Sequence, residues 1–447
     1  MPTPPSTPTT PAPRLTRASA GVRPPAPVRA VHLGLGAFHR AHQAVYTMAD
    51  PDWGIAAYTF RNADLPRTLA EQDGLYTLQV RGNGQPQAQI VDSISRAHPG
   101  GDIERWLADL ASPDVALLTL TITEAGYRTT GDGSAIDRVL AGLRGRHRAG
   151  GAPIALVPCD NLPGNGDVLR AAVRGAAEGE DSAFRSWLEE HVSCVDTVVD
   201  RITPVAGEDD VAAAAQLTGF DDHAPVVTEP FSEWLLAGQF PLGRPMWENA
   251  GARFVDDLAA YEQRKLWFLN GAHTLLAYTG PALGCATVDE AVRHPALAAL
   301  TESWWDTAAR HAALPPEDLA DYRERLLRRF SSRGIQHRLL DIAAGGSEKI
   351  PARLLPVLRA ERSAGRLPEP AIAALAGWLI HLQDSQVVDP RADELVALAR
   401  AADGARRVLS AVDGGIADDR ELISAVDDYV DQLRHSADVL PDADPAQ

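Results

Sequence analysis

Several things are scarce in this chain of 447 residues. It has three cysteines, Cys159, Cys194 and Cys285, far apart and odd in number. That excludes a CxxC metal motif and fits a reduced, cytoplasmic compartment. No apolar run is long enough to span a bilayer, and the N-terminus lacks the apolar segment of a signal peptide, so no membrane partner is expected. Positive charge is not in excess: the formal net charge is −18 and the pI about 5.1. A nucleic-acid partner, which needs phosphate-neutralising cations, is therefore not expected. Lysine is scarce while alanine and arginine are abundant, a compositional bias. What is left, 45% hydrophobic and 23% charged residues, is ordinary globular composition, with length for two or three domains.

Residues 1–27 form a Pro/Thr/Ala tail with little to bury, expected to be disordered. From "VRAVHLGLG" the pattern reads as strand, helix near 41–48, strand at 54–60 and helix at 65–71. "DVALLTLTIT" (114–123) and "PIALVPCDN" (153–161) are continuous apolar runs, the kind buried on both faces of a parallel sheet. Strands alternating with helices over 28–165 imply an α/β fold, a Rossmann-like dinucleotide-binding domain over 28–250. From about 251 to 447 the segments have helical spacing, giving a mostly α-helical second domain.

"VHLGLGAFHRAH" sets Gly34 and Gly36 after a strand and before a helix. The first glycine would make the tight turn and the second would let a pyrophosphate approach the backbone. A third glycine is missing, since position 39 is His39. His39 and His42 have HxxH spacing, but two ligands are too few for zinc, so no metal is expected. Asp64, closing the second strand region, is the candidate acid for the ribose hydroxyls. It favours NAD, while Arg61 leaves NADP open.

"KLWFLNGAH" (265–273) puts a lysine, an asparagine and a histidine among large apolar residues. If 262–275 is one α-helix, Asn270 and His273 share a face, and Glu262 lies one turn before Lys265. A desolvated lysine can act as a general base near neutral pH, and asparagine can donate to a developing oxyanion. Asn161, in "PCDN", falls at the strand edge where open α/β sheets bind ligands. Spacing alone equally allows a structural helix whose lysine snorkels to solvent.

Together with "AEQDGLYTL", "LTLTITEAGY", "VDRITP", "VVTEPFSEW" and "GGSEKIP", these stretches resemble the long-chain mannitol dehydrogenase family, over roughly residues 28–355. These polyol-specific, zinc-independent enzymes include mannitol 2-dehydrogenase and fructuronate reductase. The resemblance implies Lys265 as general base, Asn161 and Asn270 as oxyanion donors, and Glu262 as proton carrier to solvent. It places His273 and Asp200 on the substrate, and Lys349 and Arg338 near its distal end. Gly34, Gly36, Ala37, Phe38, Asp64 and Thr121 would hold the nicotinamide cofactor. Asp341 stands where polyol-active relatives carry an arginine, which leaves the substrate open. The expected partner is a small sugar alcohol or ketose, or else a sugar acid as in hexuronate reductases. An inactive dinucleotide-binding protein is a further alternative, and oligomeric state stays open.

Overall fold

The computed structural model describes residues 12–60, 62–128, 131, 133–334, 337–384 and 386–438. The chain divides into two compact units, Met1–Ala259 and Ala260–Gln447. In the first, six strands form one parallel sheet. They are β1 (Val28–Leu33), β2 (Gly54–Tyr58), β3 (Ile94–His98), β4 (Leu117–Leu120), β5 (Ile154–Pro158) and β6 (Val192–Cys194).

Their spatial order is β3-β2-β1-β4-β5-β6, the doubly wound dinucleotide-binding order. The apolar runs follow from burial on both faces. Ala30, Ile55, Leu117 and Ala155 enter one core; Val31, Ala56, Leu118 and Leu156 enter the other. The strand order reverses between β1 and β4, so their carboxyl ends flank the crevice where such sheets take ligands.

Two small sheets were not expected. One joins Val226–Thr228 to the hairpin Tyr76–Val80 and Gln87–Val91; the other joins Arg253–Phe254, Glu233–Ala237 and Asp196–Asp200.

The tail is a correction. Residues 1–11 lie outside the described residues, but 12–27 are folded. The backbone of Arg14 pairs with that of Asp221 in an isolated parallel β-bridge, and Leu15 is fully buried. Arg17 donates to the carbonyls of Arg23, Asp73, Asp92 and Ile94. Composition hid this, because one leucine and one five-donor guanidinium are enough to anchor the segment.

The second unit is helical around one core. Every residue of Gly271–Thr279 is buried, and this helix packs against Glu369–Asp384. The expected single helix over 262–275 is instead three segments: α-helix Ala259–Arg264, π-helix Lys265–Asn270 and α-helix Gly271–Thr279. "IPARLLPVLRAERSAG" is likewise split, into Gly346–Arg353 and Leu355–Ser363. Among the described residues no helix is long and apolar enough to cross a membrane.

Candidate functional site

The glycine turn sits at the switch point. Gly34 and Leu35 N–H both donate to the Tyr58 carbonyl at 2.8 Å, which ties the turn to β2. Gly34 has φ +111°, and a Cβ there would lie 2.1 Å from the Thr121 carbonyl oxygen. Only glycine fits. Thr121 closes the turn from β4, its hydroxyl donating to the Gly34 carbonyl at 2.7 Å. Gly36 differs: a Cβ there would meet nothing closer than the Gly34 carbonyl at 3.6 Å. Among the described residues no contact demands glycine at 36, and open space beside the backbone suits a bound pyrophosphate.

The rest of the motif is braced by its own contacts. His39 stacks on His32 with centroids 3.4 Å apart, Arg40 donates to the Ala224 carbonyl at 2.5 Å, and His42 Nε2 lies 3.0 Å from the Glu233 carbonyl. Phe38 stacks on His42 at 5.1 Å. Ala37 opens the short helix Ala37–Ala41 that these contacts hold. Two of these buried histidines, His32 and His39, are held neutral. Burial pushes His32 down to about 3, and burial followed by the repulsion that two protonated stacked rings would suffer holds His39 well below its usual range.

Asp64 opens the helix Asp64–Glu71 and is paired with Arg67, its side chain 79% exposed. Arg61 lies outside the described residues. Asn161 is exposed on the loop after β5. Asn165 staples that loop through Thr197, donating to its carbonyl at 3.0 Å and accepting its N–H at 2.9 Å. The sequence reading passed over Asp160. Its carboxylate accepts the Ile122 N–H at 2.6 Å and the Tyr127 hydroxyl, joining the ends of β4 and β5 beside Asn161. Burial raises it to about 7. Asp200 ends its strand buried, directly opposite Glu233 in register.

In the second unit Lys265 is 8% exposed and Asn270 partly buried, at the two ends of the π-helix. Lys265 and Lys349 are the only two lysines in the chain. In an α-helix residues five apart point about 140° away from each other. With hydrogen bonds from i to i+5, the fifth residue returns above the first. The π register therefore sets Lys265 and Asn270 on one side, where the expected α-helix would have separated them. Glu262 lies in the α-helix that leads into this turn.

His273 is buried, stacked on Phe330 at 4.6 Å and edge-on to His337 at 5.0 Å. Among the described residues its Nε2 has no hydrogen-bond partner. Burial, then the charges of His337, Arg329, Arg353 and Lys349, holds it neutral. Lys349 donates to the Ile342 carbonyl at 2.9 Å, and Arg353 to the Thr274 hydroxyl at 3.2 Å. Burial and then Arg353 push the Lys349 amine down to about 8. Arg353, Arg329 and His337 were not anticipated. The readable signal for Arg353 was its i,i+4 spacing from Lys349.

Arg338 sits apart from this cluster, on a different cavity. It is exposed, its backbone pairs with that of Thr287 in an isolated antiparallel β-bridge, and it lines a 780 Å³ cavity with Cys285, His381, Asp384 and Arg434. Neither His273 nor Lys349 lines that cavity.

A doubly wound parallel sheet with a glycine turn at its switch point defines the dinucleotide-binding class of fold. Comparison with known proteins narrows the class. The mannitol dehydrogenase Rossmann domain matches residues 28–249, and the mannitol dehydrogenase C-terminal domain residues 257–434. D-mannonate oxidoreductase of Escherichia coli is 35% identical, covering 88% of this chain and 89% of that protein. Mannitol 2-dehydrogenase of Cereibacter sphaeroides is 32% identical, covering 78% and 79%. The structure of Pseudomonas fluorescens mannitol 2-dehydrogenase, a ternary complex with NAD and D-mannitol, superposes with a TM-score of 0.80 at 30% identity, covering 96% of each chain. The chain belongs to the mannitol dehydrogenase family and is an oxidoreductase.

Proposed function

We propose that this protein is an NAD-dependent dehydrogenase, with NADP as a possible second cofactor. It interconverts a secondary alcohol of an open-chain polyol, mannitol or a related hexitol, with its 2-ketose. The observation that carries this reading is the π turn between buried Lys265 and half-buried Asn270, a register that would turn both side chains to one side, with His273 three residues further on. Gly34, Gly36, Ala37, Phe38, Asp64 and Thr121 would hold the cofactor, which would supply the nicotinamide carbon for hydride exchange.

In the oxidative direction neutral Lys265 takes the proton of the reacting hydroxyl. Burial favours this, because a dry environment disfavours the ammonium form. Asn270 and Asn161 donate to the oxygen as its charge develops. Glu262 passes the proton from Lys265 towards solvent. His273 offers its Nε2, unpartnered among the described residues, to a substrate hydroxyl, with Asp200 and Lys349 binding further along the substrate. No step needs a metal, since the base is an amine. A cytoplasmic location fits the scarce cysteines.

One observation favours a second reading. Lys349 and Arg353 bond to neutral acceptors, a carbonyl and a hydroxyl, and with Arg329 they crowd positive charge towards His273. Such a cluster suits a substrate carboxylate, as in a hexonate and its keto-uronate. The 35% identical relative is named for a sugar acid. Turnover of mannitol, arabinitol, mannonate and fructuronate, followed by nicotinamide absorbance with NAD and NADP, tests both readings. Activity confined to the acids would overturn the polyol reading, and activity confined to the polyols would overturn the other.

A further inference from the structure

Two adjacent tryptophans, Trp304 and Trp305, are fully buried in the helix Pro295–Ala309. Both indole N–H groups are spent on the π turn. Trp304 Nε1 donates to the Trp267 carbonyl at 2.7 Å, and Trp305 Nε1 to the Phe268 carbonyl at 2.8 Å. Successive donors on one helix thus reach successive carbonyls inside the turn. The Trp304 ring also lies against Gly271, where a Cβ would come within 2.8 Å of Cζ2 and Nε1. Gly271 N–H completes the wide register by donating to the Leu266 carbonyl, five residues back. The Asn270 carbonyl is taken by the Thr274 hydroxyl at 2.9 Å.

An isolated helix prefers the tighter i to i+4 ladder, and π turns are rare single insertions. A side-chain donor that draws a carbonyl outward weakens that ladder locally and offsets the cost of the wider turn. We infer that Trp304 and Trp305 are positioning residues: their indole donors hold Lys265–Asn270 in π register, so that the base and the oxyanion donor face the same reacting atoms. The inference rests on the reading that Lys265 and Asn270 act together on the substrate. Neither tryptophan touches the substrate in this account, and both act through the backbone they hold.

The test is the Trp304→Phe/Trp305→Phe enzyme, which keeps aromatic burial and removes both donors. The turn should relax to α register and carry Asn270 about 140° away from Lys265. Loss of one oxyanion donor then lowers kcat about 100-fold, while the NAD dissociation constant changes less than about twofold and a single thermal transition is retained. Removing Leu266 from the double variant shortens the spacing to four residues, which an α-helix places on one face. That deletion should recover at least about tenfold in kcat.

A double variant with kcat within about threefold of wild type overturns the inference. So does a loss that the Leu266 deletion fails to reverse. If the double variant does not fold, β-(3-benzothienyl)alanine at 304 or 305 keeps the indole shape without the donor. A kcat loss of about tenfold for either substitution supports the inference, and an unchanged kcat for both overturns it. Lys265→Ala and Asn270→Ala are measured alongside. If these two retain full activity, the reading of the base is at fault, whatever the tryptophans do.

Discussion

Because Lys265 and Lys349 are the chain's only lysines, each can be watched separately. Reductive methylation with ¹³C-formaldehyde labels these two amines and the N-terminus, and Lys349→Arg assigns the signals. Burial and the neighbouring Arg353 put the Lys349 amine at about 8, against the pull of Asp389 and Glu348. Arg353 lies one turn further along the same helix, Gly346–Arg353. Two charges about 6 Å apart in an effective dielectric of about 40 interact by about 1.4 kcal/mol, one tenfold step in proton affinity. Replacing Arg353 with glutamine should therefore raise the Lys349 midpoint by about one pH unit and leave the Lys265 signal in place. In the wild type an acidic substrate should bind more weakly as pH rises through 8, because the amine loses its charge. A wild-type Lys349 signal that titrates above about pH 10, or a midpoint that ignores Arg353→Gln, would refute the picture of a crowded cationic cluster.

Other outcomes follow from the same geometry. Lys265→Ala should lower kcat by about 10²–10⁴ and flatten its rise with pH, leaving NAD affinity unchanged by fluorescence titration. Activity should survive chelator treatment, and a loss restored by zinc would contradict the amine mechanism. Gly34→Ala forces a Cβ onto the Thr121 carbonyl at positive φ, so it should cost at least about 2 kcal/mol in denaturant stability and weaken NAD binding. His32 and His39 are depressed in the folded state. Their contribution is intact above about pH 6.5 and is lost below it, by about 2 kcal/mol for His32 at pH 5. Asp160, raised to about 7, works in the opposite direction over that range. The clean measurement is therefore the difference between wild type and His39→Phe, whose stability should fall less steeply with acid, by about one proton.

Much of the first unit was legible, because a strand buried on both faces must be written as an apolar run, as β4 and β5 are. Gly34 was legible too, since no other residue fits its turn. The π turn was not. "KLWFLNGAH" scans as an ordinary helix, and the donors that widen it come from 37 residues away. The surroundings of Arg338 were not legible for a related reason. It follows His337 directly, yet His337 meets the His273 ring while Arg338 lines a different cavity. Asp160 was hidden beside the more conspicuous Asn161. Its role depends on Ile122 and Tyr127, which adjacency in sequence does not reveal.

The segment from Ala12 to Pro27 has a practical side. It is a latch closed by a few bonds, with Leu15 as the pin and Arg17 as the bolt through four carbonyls. The family match begins at residue 28, and a protein trimmed to that boundary would lose the latch entirely. The Asp92 and Ile94 carbonyls at the edge of β3 would then lose their guanidinium donor. Anyone shortening or tagging this enzyme should cut before Ala12, or expect faster hydrogen exchange along β3 and the hairpin that precedes it.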